Sequence, residues 1–234
     1  MRIADLPLVK ICCISSLEEA RMAISFGAPA LGLVSSMPTG PGVIADKLIA
    51  EIAAAVPPPT ATFLLTSRQS AEGIVEQHRH CRTTTLQLVD HVPFAELRML
   101  RAQLPGIKLV QVIHVTGPES VEEARSVAPL VDALLLDSGN QKLPLKELGG
   151  TGRTHDWGLS RKIREIAGIP IFLAGGLTAS NVSEAISKVR PFGLDLCSGV
   201  RTHGRLDESK LRSFFSAVAA SQGLNTAFAE AQLR

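Results

Sequence analysis

The chain has 234 residues, 45% of them hydrophobic, and a formal net charge of +2, which suits one large domain with a sizeable core. The near-neutral charge, with no basic stripe interleaved with aromatics, excludes nucleic acid as the main partner. No run approaches the roughly 18 consecutive apolar residues of a membrane span, so no membrane partner is expected.

The N-terminal segment MRIADLPLVK has no long apolar run after its charges, which argues against a signal peptide. Four cysteines without a C-x-x-C pair point to a reducing compartment and no structural zinc. The expectation is therefore a cytoplasmic protein. Aromatics make up 4% and tyrosine is absent, so packing rests on Leu, Ile, Val and Ala, the usage of strands buried on both faces.

In chain order, strand-length apolar runs alternate with amphipathic helical stretches. A strand at 8–12 precedes a helix at 17–26, where Ser16 and Glu19 have capping-box spacing. Strand 30–34 and helix 44–55 follow, then strand 61–65 and helix 71–80, strand 85–89 and helix 94–103. The second half repeats the pattern: strand 108–113 with helix 120–128 (Ser120 and Glu123 again spaced as a capping box), 133–136 with 159–166, 169–173 with 179–189, and 193–197 with 207–220. Eight βα units in strict order predict an α/β fold with an all-parallel sheet and right-handed crossovers. Eight is also the number that closes a (βα)8 TIM barrel, here a single domain over 1–222; an open doubly wound sheet is the alternative with the same element string. Residues 223–234 read as an extra surface helix or a frayed tail.

Ligands of a parallel barrel sit at the C-terminal ends of its strands. The segment 170–200, PIFLAGGLTASNVSEAISKVRPFGLDLCSGV, places two small-residue turns, Gly175-Gly176 and Ser198-Gly199, directly after two buried strands. Such turns bring backbone N–H groups close to a phosphate, so a phosphorylated small molecule is the expected ligand. Asp137 ends the apolar run 134–136 and is either a general acid with a burial-raised pKa or a carboxylate capping a loop. Cys12 is either core filler or, at a strand end on the same face as Lys10, a stabilised thiolate. Lys10 points into the barrel, and Asp195 is its expected partner across barrel closure, a structural pair rather than a Schiff-base site. Cys81 and Cys197 read as packing residues. His78, His80, His91, His114 and His203 show no metal-ligand spacing with acidic residues, so no metal is expected.

The ordered set Val9-Lys10-Ile11-Cys12, 134–137 (LLLD), 149–152 (GGTG) with Asp156-Trp157, 173–177 (LAGGL) with Asn181-Val182, and Ser198-Gly199-Val200 resembles the phosphoribosylanthranilate isomerase family of (βα)8 barrels, over roughly residues 8–220. The resemblance implies an Amadori rearrangement of an aminoaldose phosphate to an aminoketose, with no cofactor, by a monomer or homodimer. It implies Asp137 as general acid toward the furanose ring oxygen and Cys12 as general base toward the C2 proton. It further implies that Gly150, Gly152, Gly175, Gly176 and Gly199 let backbone amides approach the phosphate, with Ser198 adding its hydroxyl. Lys10, Gln87, Arg68 and Arg201 are further candidate substrate contacts. The chain departs from the family pattern at several places. Cys13 stands where the family has glycine, Gln87-Leu88-Val89-Asp90 replaces Gln-Leu-His-Gly, His155 replaces an aromatic, and Arg201 replaces an acidic residue. The loop 35–43 lacks the family's arginine, so a substrate carboxylate would need its cation from Arg68 or Arg201. These departures keep two alternatives in view: a paralogue acting on another phosphosugar, and a non-catalytic phosphate-binding barrel.

Overall fold

The computed structural model describes residues 6–139, 143 and 146–221; the expected tail at 223–234 lies outside them. Eight parallel strands close into a barrel in sequence order, β1 pairing with β8. They are β1 Leu8–Ile11, β2 Ala30–Val34, β3 Ala61–Thr66, β4 Thr85–Leu88, β5 Lys108–His114, β6 Ala133–Asp137, β7 Ile171–Leu173 and β8 Gly193–Leu196. The helices that follow them in turn are α1 Leu17–Ser25, α2 Asp46–Ala55, α3 Ala71–Cys81, α4 Phe94–Gln103, α5 Glu119–Val127, α6 Trp157–Ala167, α7 Val182–Val189 and α8 Glu208–Ala220. A short antiparallel hairpin, β9 Arg201–Thr202 and β10 Arg205–Leu206, sits between β8 and α8. Closure removes the open doubly wound sheet from consideration. Among the described residues no helix is long and apolar enough to cross a membrane.

The continuous apolar runs exist because each strand is covered on both faces. Outward-facing residues such as Ile11, Leu31, Leu64, Leu86, Leu134 and Leu194 pack against the helices in one large cluster. Inward-facing residues such as Phe63, Val110, Val112, Leu135 and Phe172 fill the barrel as a second. Phe63 and Phe172 meet edge-on, with centroids 6.0 Å apart.

Strand and helix ends shift from their expected places for local reasons. β7 begins at Ile171 rather than 169 because Pro170 has no N–H to give a ladder; its carbonyl instead accepts from Leu134 N. α6 begins two residues early because the Asp156 side chain accepts from Gly158 N and Leu159 N. Ser16 caps α1 as expected, accepting from Glu19 N at 3.2 Å, but Glu19 reaches back to Ser15 N rather than Ser16 N. Ser120 is not a cap: it lies inside the first turn of α5, where its hydroxyl accepts from Thr116 N and donates to the His114 carbonyl.

Lys10 and Asp195 are in register across the closing seam, and Lys10 Nζ donates to Asp195 Oδ1 at 2.7 Å. The lysine is fully buried, with its ammonium 5.2 Å from the centroid of the Phe63 ring. Burial alone would lower its pKa, but the Asp195 charge and hydrogen bond outweigh that and raise it. A buried charge stripped of its partner is costly. Asp195→Ala is therefore expected to destabilise the protein by about 3–5 kcal/mol, while Lys10→Met with Asp195→Leu should recover most of the loss. Guanidinium unfolding midpoints of the three proteins check this.

Candidate active site

An open cavity lies at the C-terminal ends of the strands, where ligands of parallel barrels sit. Its wall brings together most of the residues singled out in the sequence: Cys12, Gln87, Asp137, Gly150, Gly152, Gly175, Gly176, Ser198 and Gly199.

Asp137 is the last residue of β6 and continues the inward-facing series Ala133, Leu135. It is 8% exposed, and Ser138 N donates to its Oδ1 at 2.8 Å. Burial raises its pKa above the usual carboxylate range, the Ser138 N–H bond and His114 pull the other way, and the Asp195 charge adds to the rise. Both features the sequence left open are present: the carboxyl is buried, and it accepts from the first residue of the loop that follows.

Cys12 stands one residue past β1, its N–H donating to Leu196 O at 2.7 Å. A Cβ on Gly32 would lie 2.7 Å from Cys12 Sγ and 3.0 Å from Lys10 Nζ, so thiol and ammonium share the space that a side chain in β2 would fill. Gln87 faces the cavity from β4 with its Oε1 buried and unbonded.

The glycine turns meet the cavity as backbone. Gly176 has φ +61°, and a Cβ there would lie 2.7 Å from the Arg153 carbonyl carbon; a Cβ on Gly199 would lie 2.0 Å from Leu177 O. Neither position admits a side chain, so the wall there is peptide backbone. Gly152, Gly176, Ser198 and Gly199 also border an adjoining recess with Lys210 and Ser213.

Three expected contacts do not reach the cavity. Lys10 is wholly buried beneath it in the pair with Asp195. Arg68 is half-exposed on the outer surface, donating to Gly73 O and lying 3.8 Å from Glu76. Arg201 is buried: Nη1 donates to Glu19 Oε1 at 2.8 Å, and Nη2 to Cys12 O at 3.2 Å and Cys13 O at 2.6 Å. That arginine clamps α1, the end of β1 and the β9–β10 hairpin together, so it is unavailable to a ligand. Among the described residues bordering the cavity there is no lysine, arginine or histidine.

Other positions prove different from their sequence reading. Cys197 is not mere packing, since it borders the cavity together with Cys13. The expected pairing of Lys10 with Asp195, extended two residues along both strands, would have placed Cys197 opposite Cys12. Cys13 has φ +61°, a conformation that explains glycine at this place in the family. His155 is half-buried, its Nε2 2.7 Å from Ser160 Oγ, and desolvation lowers its pKa to about 4, so it is neutral at physiological pH. Cys81 is a packing residue as expected, its thiol pushed up to about 12 by burial. Among the described residues no cluster of His, Cys, Asp and Glu could hold a metal ion.

A closed (βα)8 barrel with a buried carboxyl, a thiol and two glycine turns at one mouth has the layout of a class: barrel enzymes that act on small molecules at the C-terminal ends of their strands. The family model for N-(5'-phosphoribosyl)anthranilate isomerase matches residues 9–217. The chain is 34% identical over 215 residues to the N-(5'-phosphoribosyl)anthranilate isomerase of Methanocella arvoryzae, covering 92% of this chain and 99% of that one. It is 36% identical over 208 residues to the enzyme designated 2 in Methanosarcina mazei, covering 88% and 91%. The crystal structure of the Thermotoga maritima phosphoribosyl anthranilate isomerase superposes with a TM-score of 0.79 at 27% identity, covering 92% and 99%. The chain belongs to the phosphoribosylanthranilate isomerase family and is an isomerase.

The raised pKa of Asp137 has a consequence for stability. A carboxyl whose folded pKa lies above its unfolded value contributes stability that is fully present below the unfolded pKa and lost as pH rises through the folded one. Asp137→Asn keeps the acceptor for Ser138 N and removes the buried charge. It is expected to unfold at higher denaturant than wild type at pH 7, with the gap closing as pH falls below about 4. Paired urea titrations across that range measure it.

Proposed function

We propose that the chain converts N-(5-phosphoribosyl)anthranilate to its 1-deoxyribulose 5-phosphate isomer, with Asp137 as general acid and Cys12 as general base. The observation that carries this reading is the placement of a desolvated carboxyl and a thiol, from β6 and β1, on the wall of one cavity. The reaction needs a proton donor and a proton acceptor on facing sides of one sugar.

Asp137 protonates the furanose ring oxygen, so that the C1–O bond breaks and an open-chain imine forms. Burial keeps more of its carboxyl protonated at neutral pH than an exposed aspartate would have. Cys12 then removes the C2 proton, and the resulting enolamine takes a proton at C1 to become the ketone. The peptide groups around Gly150, Gly152, Gly175, Gly176 and Gly199, with the Ser198 hydroxyl, receive the phosphate. Gln87 Oε1 accepts from a sugar hydroxyl, which relieves a buried acceptor otherwise left unbonded. Met37, Pro41, Leu65 and Val89 offer an apolar wall to the aromatic ring. No cofactor enters any step, and every residue given a role comes from one chain, which suits monomer and homodimer alike. Four unpaired thiols suit a cytoplasmic, reducing compartment.

The fluorescence decay of freshly made phosphoribosylanthranilate tests the proposal. Wild type should accelerate the decay, and Asp137→Asn and Cys12→Ser should each lower kcat by about 10²–10⁴. Phosphate-ester binding without turnover by wild type would overturn it.

A further inference from the structure

The glycine turns at the mouth have a second side. Gly152, Gly176, Ser198 and Gly199 line both the main cavity and the adjoining recess, so the two spaces meet along that edge. Gly152 and Ser198 stand apart there: a Cβ on Gly152 would lie 3.7 Å from Ser198 Oγ. Beyond the edge, the recess is lined by Thr178 and Ser180 of the loop before α7 and by Lys210 and Ser213 of α8. Among the described residues that line it, Lys210 is the one charged side chain.

Lys210 is tied to the turn it faces. Asp207 caps α8, accepting from Lys210 N at 3.1 Å, and Asp207 N donates to Val200 O at 2.9 Å. The start of the helix is thereby fixed to Ser198-Gly199-Val200. Lys210 Nζ donates to the Arg201 carbonyl at 2.6 Å. Arg201 is itself held by Glu19 and by the carbonyls of Cys12 and Cys13. An ammonium carries three N–H donors, and the Arg201 bond uses one.

Charge decides where a phosphate can settle. A phosphate monoester carries about two negative charges at neutral pH. The described charged side chains that line the main cavity are Asp137 and Asp195, and Lys10 is committed to Asp195 beneath the floor. At the shared edge, by contrast, backbone, the Ser198 hydroxyl and an ammonium border one space.

We propose that Lys210 is a substrate-binding residue: the phosphate lodges at the edge between Gly152 and Ser198, and the Lys210 ammonium neutralises it from the recess side. The identity of the substrate rests on the isomerase reading above, whereas the affinity of this edge for a phosphate ester does not. The cation comes from a helix behind the turns rather than from a strand-end loop. Lys210 lines the recess and not the main cavity, and Asp137 lines the main cavity and not the recess. The ammonium therefore holds the phosphate without drawing the proton off the general acid, as a cation beside that carboxyl would.

The test compares the full chain with Lys210→Gln and Lys210→Arg. Lys210 is exposed, so both changes spare the core, and glutamine keeps an N–H donor for the Arg201 carbonyl while removing the charge. Calorimetry with ribose 5-phosphate should show wild type and Lys210→Arg binding about ten- to a hundredfold more tightly than Lys210→Gln, the loss expected for one charge-assisted hydrogen bond. In turnover of phosphoribosylanthranilate the loss in Lys210→Gln should fall on KM rather than on kcat. Equal ribose 5-phosphate affinity in wild type and Lys210→Gln would overturn the proposal. So would a loss that Lys210→Arg shares in full, which marks a packing role, or no binding of ribose 5-phosphate by wild type. Wild type without turnover, together with weakened ribose 5-phosphate binding in Lys210→Gln alone, would count against the isomerase reading and leave the assignment of Lys210 standing.

Discussion

The seam where β1 closes on β8 sets the geometry of everything at the mouth. Lys10 and Asp195 meet there in register at 2.7 Å, the lysine fully buried and the aspartate nearly so. Neither charge is tolerable inside the barrel alone, and together they specify the register of the last pair of strands. That register decides what stands above the pair. It puts Cys12 at the cavity wall and Cys197 beside it, and it leaves an aspartate charge at the cavity floor. The same charge helps keep the Asp137 carboxyl above its usual range. A stability element of the floor thus tunes the group on the wall.

The mouth itself is built with little charge. No lysine or arginine among the described residues borders the main cavity, and Arg201, three residues past Ser198, is spent on holding α1, β1 and the β9–β10 hairpin together. Arg201 with Glu19 forms an ion pair whose members are 7% and 12% exposed at the side chain. Glu19 is kept charged there: burial opposes it, but the Arg201 contact and the N–H groups of Leu206 and Ser15 prevail and lower its pKa. The two buried pairs, one beneath the cavity and one behind it, leave the space between them for neutral and anionic ligand atoms.

Most of the architecture was legible because the βα alternation is strict and the strands are short, apolar runs bounded by turn residues. The Lys10–Asp195 pair followed from inward-facing alternation plus closure. The Gly175-Gly176 and Ser198-Gly199 turns were legible as turns because glycine at Gly176 and Gly199 answers a backbone demand that no other residue meets. Side-chain reach was not legible. Arg68 and Arg201 stand near the mouth in sequence, but whether a long cation turns toward a ligand depends on partners such as Glu19, Glu76 and the Cys13 carbonyl, which come from other elements. Helix starts at Trp157 and Glu119 were misplaced where an Asp or Pro, rather than the first periodic apolar residue, determines the cap. Cys197 was missed because register was carried across the seam for the charges and not for the thiols.

The central claim of the proposed mechanism is that Cys12 removes the C2 proton of the sugar once Asp137 has protonated the ring oxygen. The most direct measurement is the fate of deuterium in substrate labelled at C2 of the ribose, turned over in ordinary water and read by mass spectrometry of the aminoketose. The account predicts that wild type releases the label to solvent and that Cys12→Ser leaves the labelled substrate unconverted in the same interval. Equal conversion and label release by wild type and Cys12→Ser would contradict it.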